Sequence, residues 1–359
     1  MKITGAVTTL VELPLRNVAT VDHSFASIGC VLVQVHTDEG IEGQGFVYAA
    51  DRHRLRALES MIESFVPILA GRSPFDTERI WHDMWRAVNA TGRTGATTLA
   101  MSALDTACWD MAGKAVGLPL NKMFGGCRDE VATYASSGLF LSTPIGALGR
   151  EAARLVAGGF GAVKLRLGSG NLADDVERVE AVRDAVGADI GVHVDLNQAL
   201  DVKAAIRLGR ELERFDVAWF EDPISSDDLG GLAAVRDALA LPVVAGETAF
   251  TRIEAAAMIS AGSVDIVMPD LQRVGGLSEF RKVAALAAAA HLPVSSHFFT
   301  EYSLCLAGSI DAMVSVEHID WFAPLFCESV ELRGGMLVVP DRPGTGFTFD
   351  PVAIESCRV

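Results

Sequence analysis

Seven ionisable residues recur through the second half of this 359-residue chain at the spacing of a structural repeat. Lys164, Asp195, Glu221, Glu247, Asp270, His297 and Glu317 follow one another at intervals of 31, 26, 26, 23, 27 and 20 residues. Most close a short apolar run; Asp270 falls just after one. Singly, each has an ordinary explanation. An Asp or Glu after a strand caps the next helix, a lone Lys is a surface residue, and a lone His is hydrogen-bonded in a core or at its rim. Jointly, the carboxylates would repel one another at one rim unless a cation neutralised them. Asp195, Glu221 and Glu247 sit on three successive runs and are hard oxygen donors with no Cys or His among them. That donor set suits Mg²⁺ or Mn²⁺ better than zinc. Mg²⁺ takes about six oxygens, so three carboxylates leave room for water or for a carboxylate with an adjacent hydroxyl.

The other groups fall on two sides. Lys164 and Arg166 are two residues apart on one run and so share a face. Asp270 and His297 lie opposite, and an Asp beside a His orients the imidazole and raises its basicity.

The elements that must position these groups are legible as alternation. After Gly125-Gly126, eight apolar runs (133–136, 162–167, 190–195, 217–221, 243–247, 265–269, 294–297 and 314–317) alternate with Ala- and Leu-rich amphipathic stretches. Eight β-then-α units predict an α/β protein with a (β/α)7–8 TIM-like barrel, whose active-site rim gathers the C-terminal ends of the strands. An open doubly wound sheet is the competing reading. Its glycine-rich phosphate loop does not fit Gly40–Gly45 or Gly168–Gly170. The first 50 residues alternate as strands, with Val31, Val33 and Val35 on one face. Helical patterns follow over 51–70, 76–88 and 94–116. The expected organisation is an α+β capping domain over 1–125, a barrel over 126–320, and a strand-and-turn tail over 321–359 returning to the cap.

Composition narrows the function. Half the residues are hydrophobic and the formal net charge is −16. That argues against nucleic acid and an anionic membrane as partners, while a bound metal still lets an acidic protein take an anionic substrate. Cys30, Cys108, Cys127, Cys305, Cys327 and Cys357 form no C-x-x-C pair, and no secretory signal precedes them, so a reduced, cytoplasmic protein is expected. The longest apolar stretch, near Val283–Ala290, is far short of a bilayer span.

The set Lys164-x-Arg166, Asp195-x-Asn197, Glu221, Glu247, Asp270, His297 and Glu317 resembles the mandelate racemase subgroup of the enolase superfamily. The segments Val194–Gln198, Phe220–Pro223, Gly246–Thr248, Met268–Asp270 and Ser295–His297 carry the likeness, which covers the whole chain. The resemblance implies a shared step in which a base removes the proton α to a carboxylate. Mg²⁺ on Asp195, Glu221 and Glu247 would stabilise the enediolate, Lys164 would add positive charge, and a protonated Glu317 would donate a hydrogen bond. Asn197 would position the substrate, and Ser136 or Ser137, at the end of the first run, would touch its carboxylate. Racemases of the family carry Lys at both positions of the K-x-K pair, the second serving as a base, and here that position is Arg166. A guanidinium surrenders a proton reluctantly. This favours one-base chemistry at His297 and dehydration of a sugar acid to a 2-keto-3-deoxy acid. A racemase or epimerase, and a barrel that binds an acid without turning it over, are the alternatives. The family's members are commonly homo-oligomers, octamers among them. Two loops, 16–28 with His23 and Phe25 and 47–53 with Tyr48, Asp51, Arg52 and His53, are expected over the mouth. Their polar residues suit a polyhydroxylated small carboxylic acid, and His23 or His53 would assist a leaving group.

Overall fold

The computed structural model describes residues 1–21 and 24–359; His23 lies outside the described residues. The chain begins with an antiparallel sheet of three strands, β1 (Ile3–Ala19), β2 (Ser24–Thr37) and β3 (Glu42–Ala49), in the order β1-β2-β3. The centre of β2 is buried on both faces, for a reason visible in its alternation. Val31, Val33 and Val35 join a core formed with helices α1 (Leu55–Leu69), α2 (Thr77–Ala87) and α3 (Ala96–Val116). Ile28, Cys30 and Leu32 face the other way, into the core shared with the barrel.

Small residues let α3 lie close on β3. A Cβ at Gly43 would stand 2.0 Å from the Ala107 carbonyl oxygen, and one at Gly45 2.2 Å from that of Ala103. Any larger residue there would force the sheet and helix apart.

After a short helix α4 (Leu120–Met123), eight parallel strands follow: β4 (Glu130–Ala135), β5 (Ala162–Arg166), β6 (Gly191–Asp195), β7 (Trp219–Glu221), β8 (Val243–Ala245), β9 (Ile266–Val267), β10 (Val294–Ser295) and β11 (Met313–His318). Each pairs with the next, and β11 pairs back onto β4, with Glu317 opposite Tyr134, so the sheet closes into a barrel. Eight strands settle the expected seven-or-eight at eight. The connecting helices are α5 (Ile145–Ala157), α6 (Leu172–Val186), α7 (Val202–Leu212), α8 (Leu229–Ala238), α9 (Thr251–Ser260), the single-turn α10 (Leu271–Val274), α11 (Leu277–Ala289) and α12 (Thr300–Ala307).

A hairpin, β12 (Leu332–Arg333) and β13 (Met336–Val338), adds antiparallel to β4. Beyond it the chain reaches the N-terminal sheet. The Phe349 amide donates to Gln44 Oε1, the Thr345 amide to buried Asp110, and, after α13 (Pro351–Cys357), the Val359 amide to the Leu10 carbonyl. Among the described residues no helix is long and apolar enough to cross a membrane.

The N-terminal helices and β3 also clasp the segment after β9. Trp81 Nε1 donates to the Gly275 carbonyl, Ser102 Oγ to that of Leu271, and the Tyr48 amide to Gln272 Oε1. Asp105 accepts from both the amide and the hydroxyl of Ser278, at 2.9 and 2.6 Å. That segment begins at Asp270.

Candidate active site

The strand ends bring the predicted groups to one mouth. Lys164 is on β5, and its ammonium, 1% exposed, lies 2.7 Å from Glu317, 2.8 Å from Glu221 and 3.4 Å from Asp195. Burial alone would lower its pKa, but these three carboxylates outweigh that and raise it well above the ordinary lysine value. Asp270, three residues past β9, caps α10 by accepting from the Arg273 amide with Oδ1. Its Oδ2 stands 2.7 Å from His297 Nδ1. The two residues are bridged across parallel strand extensions, which fixes their side-by-side placement. The other imidazole nitrogen, Nε2, is 3.1 Å from Glu247 Oε2. Burial pushes the His297 pKa down, but Glu247 and Asp270 more than reverse this and raise it.

Glu221 is buried; its pKa is pushed up to about 8 by burial and, after relief from Lys164, by Asp195, Glu317 and Glu247. Its second oxygen accepts from Trp219 Nε1 at 3.2 Å. Asp195 accepts from the Asn197 amide at 2.9 Å and its side-chain nitrogen at 3.3 Å. Asn197 adopts φ 43°, a conformation Asn tolerates better than most residues, and its buried Oδ1 has no partner.

Glu317 departs from expectation. The resemblance implies a Glu317 that, if protonated, donates a hydrogen bond. Instead it accepts from Lys164, from Ser136 Oγ at 2.6 Å and from the Phe298 amide at 2.7 Å. Burial opposes ionisation there, but Lys164, His297 and Arg166 hold its carboxyl well below the ordinary glutamate range.

Arg166 is pinned. One terminal nitrogen donates to the Ser136 carbonyl at 2.7 Å, the other to Ser136 Oγ at 2.8 Å, and the guanidinium lies over the Phe140 ring. Its Nε is buried without a partner, 3.8 Å from Asp195.

A cavity of about 510 Å³ opens at this mouth and is lined by Lys164, Arg166, Asp195, Asn197, Glu247 and His297. Ser137 is not among its lining residues; its hydroxyl accepts from the Asp320 amide in a neighbouring groove. The loop after β4 turns that side chain outward, and Ser136 instead supports Glu317. His53 is exposed in a separate groove beside the mouth and does not line the cavity.

Sequence reasoning gave no role to Asp222 or Arg273. Asp222 is buried with an unpartnered Oδ1, and burial with Glu247, Asp195 and Glu221 raises its pKa well above the ordinary value. Arg273 donates to the Glu247 carbonyl at 2.7 Å. The adjacency Glu221-Asp222 and the spacing Asp270-x-x-Arg273 were the available signals.

Among the described residues, no three His, Cys, Asp or Glu groups are grouped as a metal site. Asp195 and Glu221 are turned to Lys164, and Glu247 to His297. The donor chemistry nonetheless fits a hard divalent cation. Asp195 and Glu247 are among the charges that raise Glu221, so the three are electrostatically one cluster, and all three are oxygen donors.

The fold and this constellation define a capped barrel with carboxylates, a buried lysine and a His–Asp pair gathered at its mouth. Residues 147–353 match the family model described as enolase C-terminal domain-like, and residues 3–125 match the mandelate racemase/muconate lactonizing enzyme N-terminal domain. The chain belongs to the mandelate racemase/muconate lactonizing enzyme-like part of the enolase superfamily. Among its relatives, L-talarate/galactarate dehydratase of Salmonella typhimurium is 36% identical over 326 residues, covering 91% of this chain and 82% of that protein. Arabinonate dehydratase of Saccharolobus solfataricus is 30% identical, covering 98% and 93%. The crystal structure of the Salmonella dehydratase superposes with a TM-score of 0.95 at 33% identity, covering 100% and 92%. A mutant L-talarate/galactarate dehydratase carrying Mg and L-glucarate matches with the same score, identity and coverage.

Proposed function

We propose that this chain is a Mg²⁺-dependent hydro-lyase that removes the proton α to the carboxylate of a hydroxylated acid and expels the β-hydroxyl, giving a 2-keto-3-deoxy acid. The observation that carries this reading is the His297–Asp270 pair facing the pinned Arg166. His297 is a buried imidazole oriented by a 2.7 Å contact to Asp270. Across the mouth, the terminal nitrogens of Arg166 are committed to Ser136. In place of the second Lys of a K-x-K pair, Arg166 is a fixed cation that cannot swing to the α-carbon. One base then serves both steps: neutral His297 takes the α-proton, and the resulting imidazolium gives it to the departing hydroxyl.

Asp195, Glu221 and Glu247 would hold the metal. When bound, Mg²⁺ supplies Lewis-acid stabilisation of the substrate carboxylate. Lys164 places a permanent positive charge beside Asp195, Glu221 and Glu317, where charge develops on the enediolate oxygens. Glu317 holds Lys164 and the Phe298 amide in place as an acceptor. The free Oδ1 of Asn197 and Nε of Arg166 are available to a substrate hydroxyl and carboxylate. The reading retains the division of the chain into 1–125, 126–320 and 321–359, and a cytoplasmic homo-oligomer.

The test is to incubate the full-length, Mg²⁺-loaded protein with a library of mono- and diacid sugars and assay 2-keto acid with semicarbazide. Keto-acid formation from at least one acid, lost in His297→Asn, is expected. Decay of optical rotation without keto acid would instead mean a two-base racemase.

A further inference from the structure

We propose that Trp219 is a positioning residue for the divalent cation. Its indole N–H holds the Glu221 carboxylate from within the barrel and so sets the preference of the site for Mg²⁺ over a larger cation such as Ca²⁺. This rests on the proposed metal ligands and on nothing about the acid. Strands β6 and β7 pair with His193 opposite Trp219 and Asp195 opposite Glu221. Residues two apart on a strand share a face. The register that sets two of the proposed ligands side by side therefore sets two rings side by side one layer further from the mouth. The His193 and Trp219 rings stack, with 3.6 Å between centroids and 26° between planes. Tyr134 of β4 meets Trp219 at 87°, with centroids 4.9 Å apart. All three side chains are buried. Packed against both neighbours, the indole has little room to turn.

An indole has one N–H and no acceptor. That of Trp219 donates to Glu221 Oε2 at 3.2 Å, while Glu221 Oε1 accepts from Lys164 at 2.8 Å. The two donors respond differently to a cation. The Lys164 ammonium is shared with Glu317 and Asp195, and it repels a cation arriving among the same carboxylates. The indole is neutral, so it keeps its hydrogen bond to Glu221 when a cation is in place. Trp219 is therefore the donor that orients Glu221 in the loaded site. Mg²⁺ demands near-ideal octahedral geometry, whereas Ca²⁺ accepts about six to eight oxygens in flexible arrangements, two from one carboxylate among them. A carboxylate held in one orientation serves the first demand. A carboxylate free to turn adapts to the second.

The experiment is calorimetric titration of the full-length protein with Mg²⁺ and, separately, with Ca²⁺, after EDTA treatment and dialysis and with no acid present. Trp219→Phe keeps a ring in the layer and deletes the N–H. It should weaken Mg²⁺ binding by about 10- to 100-fold, the usual effect of removing the partner of a metal ligand, and Ca²⁺ binding by less than about threefold. The ratio of the two affinities then falls at least about threefold. Val244→Ala loosens the same cluster of side chains without touching the donor, and should leave the ratio at the parent's value. An unchanged ratio in Trp219→Phe, or one that Val244→Ala shifts as far, would overturn this inference while leaving the metal ligands standing. A parent that binds neither cation would overturn both. Should Trp219→Phe not fold, the parent labelled with ¹⁵N at its indole nitrogens decides. Its five tryptophans give five N–H resonances, and the one displaced by Glu221→Gln should exchange slowly with solvent and shift along the Mg²⁺ binding curve. No resonance displaced by Glu221→Gln, or one indifferent to Mg²⁺, would refute the role of Trp219.

Discussion

Lys164→Met removes the cation at the centre of the mouth while keeping a side chain of similar reach. In the parent, the ammonium contacts Glu317 at 2.7 Å and Glu221 at 2.8 Å, with Asp195 at 3.4 Å, and is 1% exposed. Deleting one partner of a buried ion pair costs about 3–5 kcal/mol, because the charge left behind keeps its desolvation penalty. Here three carboxylates are left, and burial, with repulsion from Asp195, Glu317 and Glu247 added to it, already pushes Glu221 up to about 8. In EDTA, urea unfolding followed by tryptophan fluorescence should therefore show a loss of that order. A divalent cation bound among the same carboxylates replaces the missing charge, so saturating Mg²⁺ should stabilise the variant more than the parent and close at least half the gap. Ligand linkage sets the scale, about 2.7 kcal/mol at one hundred times the dissociation constant. A variant as stable as the parent in EDTA, or a gap that widens with Mg²⁺, would refute the electrostatic reasoning.

Other consequences follow from separate parts of the molecule. Glu247→Gln should weaken Mg²⁺ binding measured by calorimetry and reduce turnover at least a hundredfold; a Mg²⁺-replete, fully active variant would contradict its assignment as a ligand. His297→Asn should lower keto-acid formation by about 10²–10⁴-fold, the usual worth of a general acid–base group, with Mg²⁺ binding retained. Arg166→Lys exchanges a pinned guanidinium for a mobile amine that can lose a proton; polarimetry should then reveal α-epimerisation absent from the parent, and none would mean that the residue does not limit the chemistry to one base. Asp105, buried between α3 and the start of α11, has its pKa raised from 3.8 to about 7, by burial against the opposing hydrogen bonds from Ser278. A carboxyl raised on folding binds more protons folded than unfolded, so its contribution worsens as pH rises from about 4 to about 7, by up to about 4 kcal/mol. Asp105→Asn should flatten that part of the stability profile in urea titrations at pH 5 and 7.5; an unchanged slope would exclude Asp105 as its source.

Much of this architecture is legible in the residues because a closed parallel barrel repeats its chemistry. One ionisable residue at successive strand ends must face one rim, so Lys164, Asp195, Glu221, Glu247, His297 and Glu317 could be gathered without coordinates. Alternation likewise put Val31, Val33 and Val35 on one face of β2. Spacing does not tell how side chains pair across the mouth. That Lys164 bridges Glu317 and Glu221, that Glu317 accepts rather than donates, and that Arg166 is spent on Ser136 depend on rotamers and non-local distances. Loops have no period at all. Ser137 turns out toward Asp320, and Asp51, Arg52 and His53 face the outer groove, because backbone turns after β4 and β3 decide direction where no strand alternation constrains it.

The central claim is that a divalent cation held by Asp195, Glu221 and Glu247 makes the α-proton removable by His297. It is tested most directly by following the α-proton resonance of a turned-over acid in D₂O, first with Mg²⁺, then after EDTA, then after Mg²⁺ is restored. The account predicts loss of the resonance with Mg²⁺, none in EDTA, and recovery of the reaction on restoration. Loss of the α-proton at an undiminished rate in EDTA would contradict it.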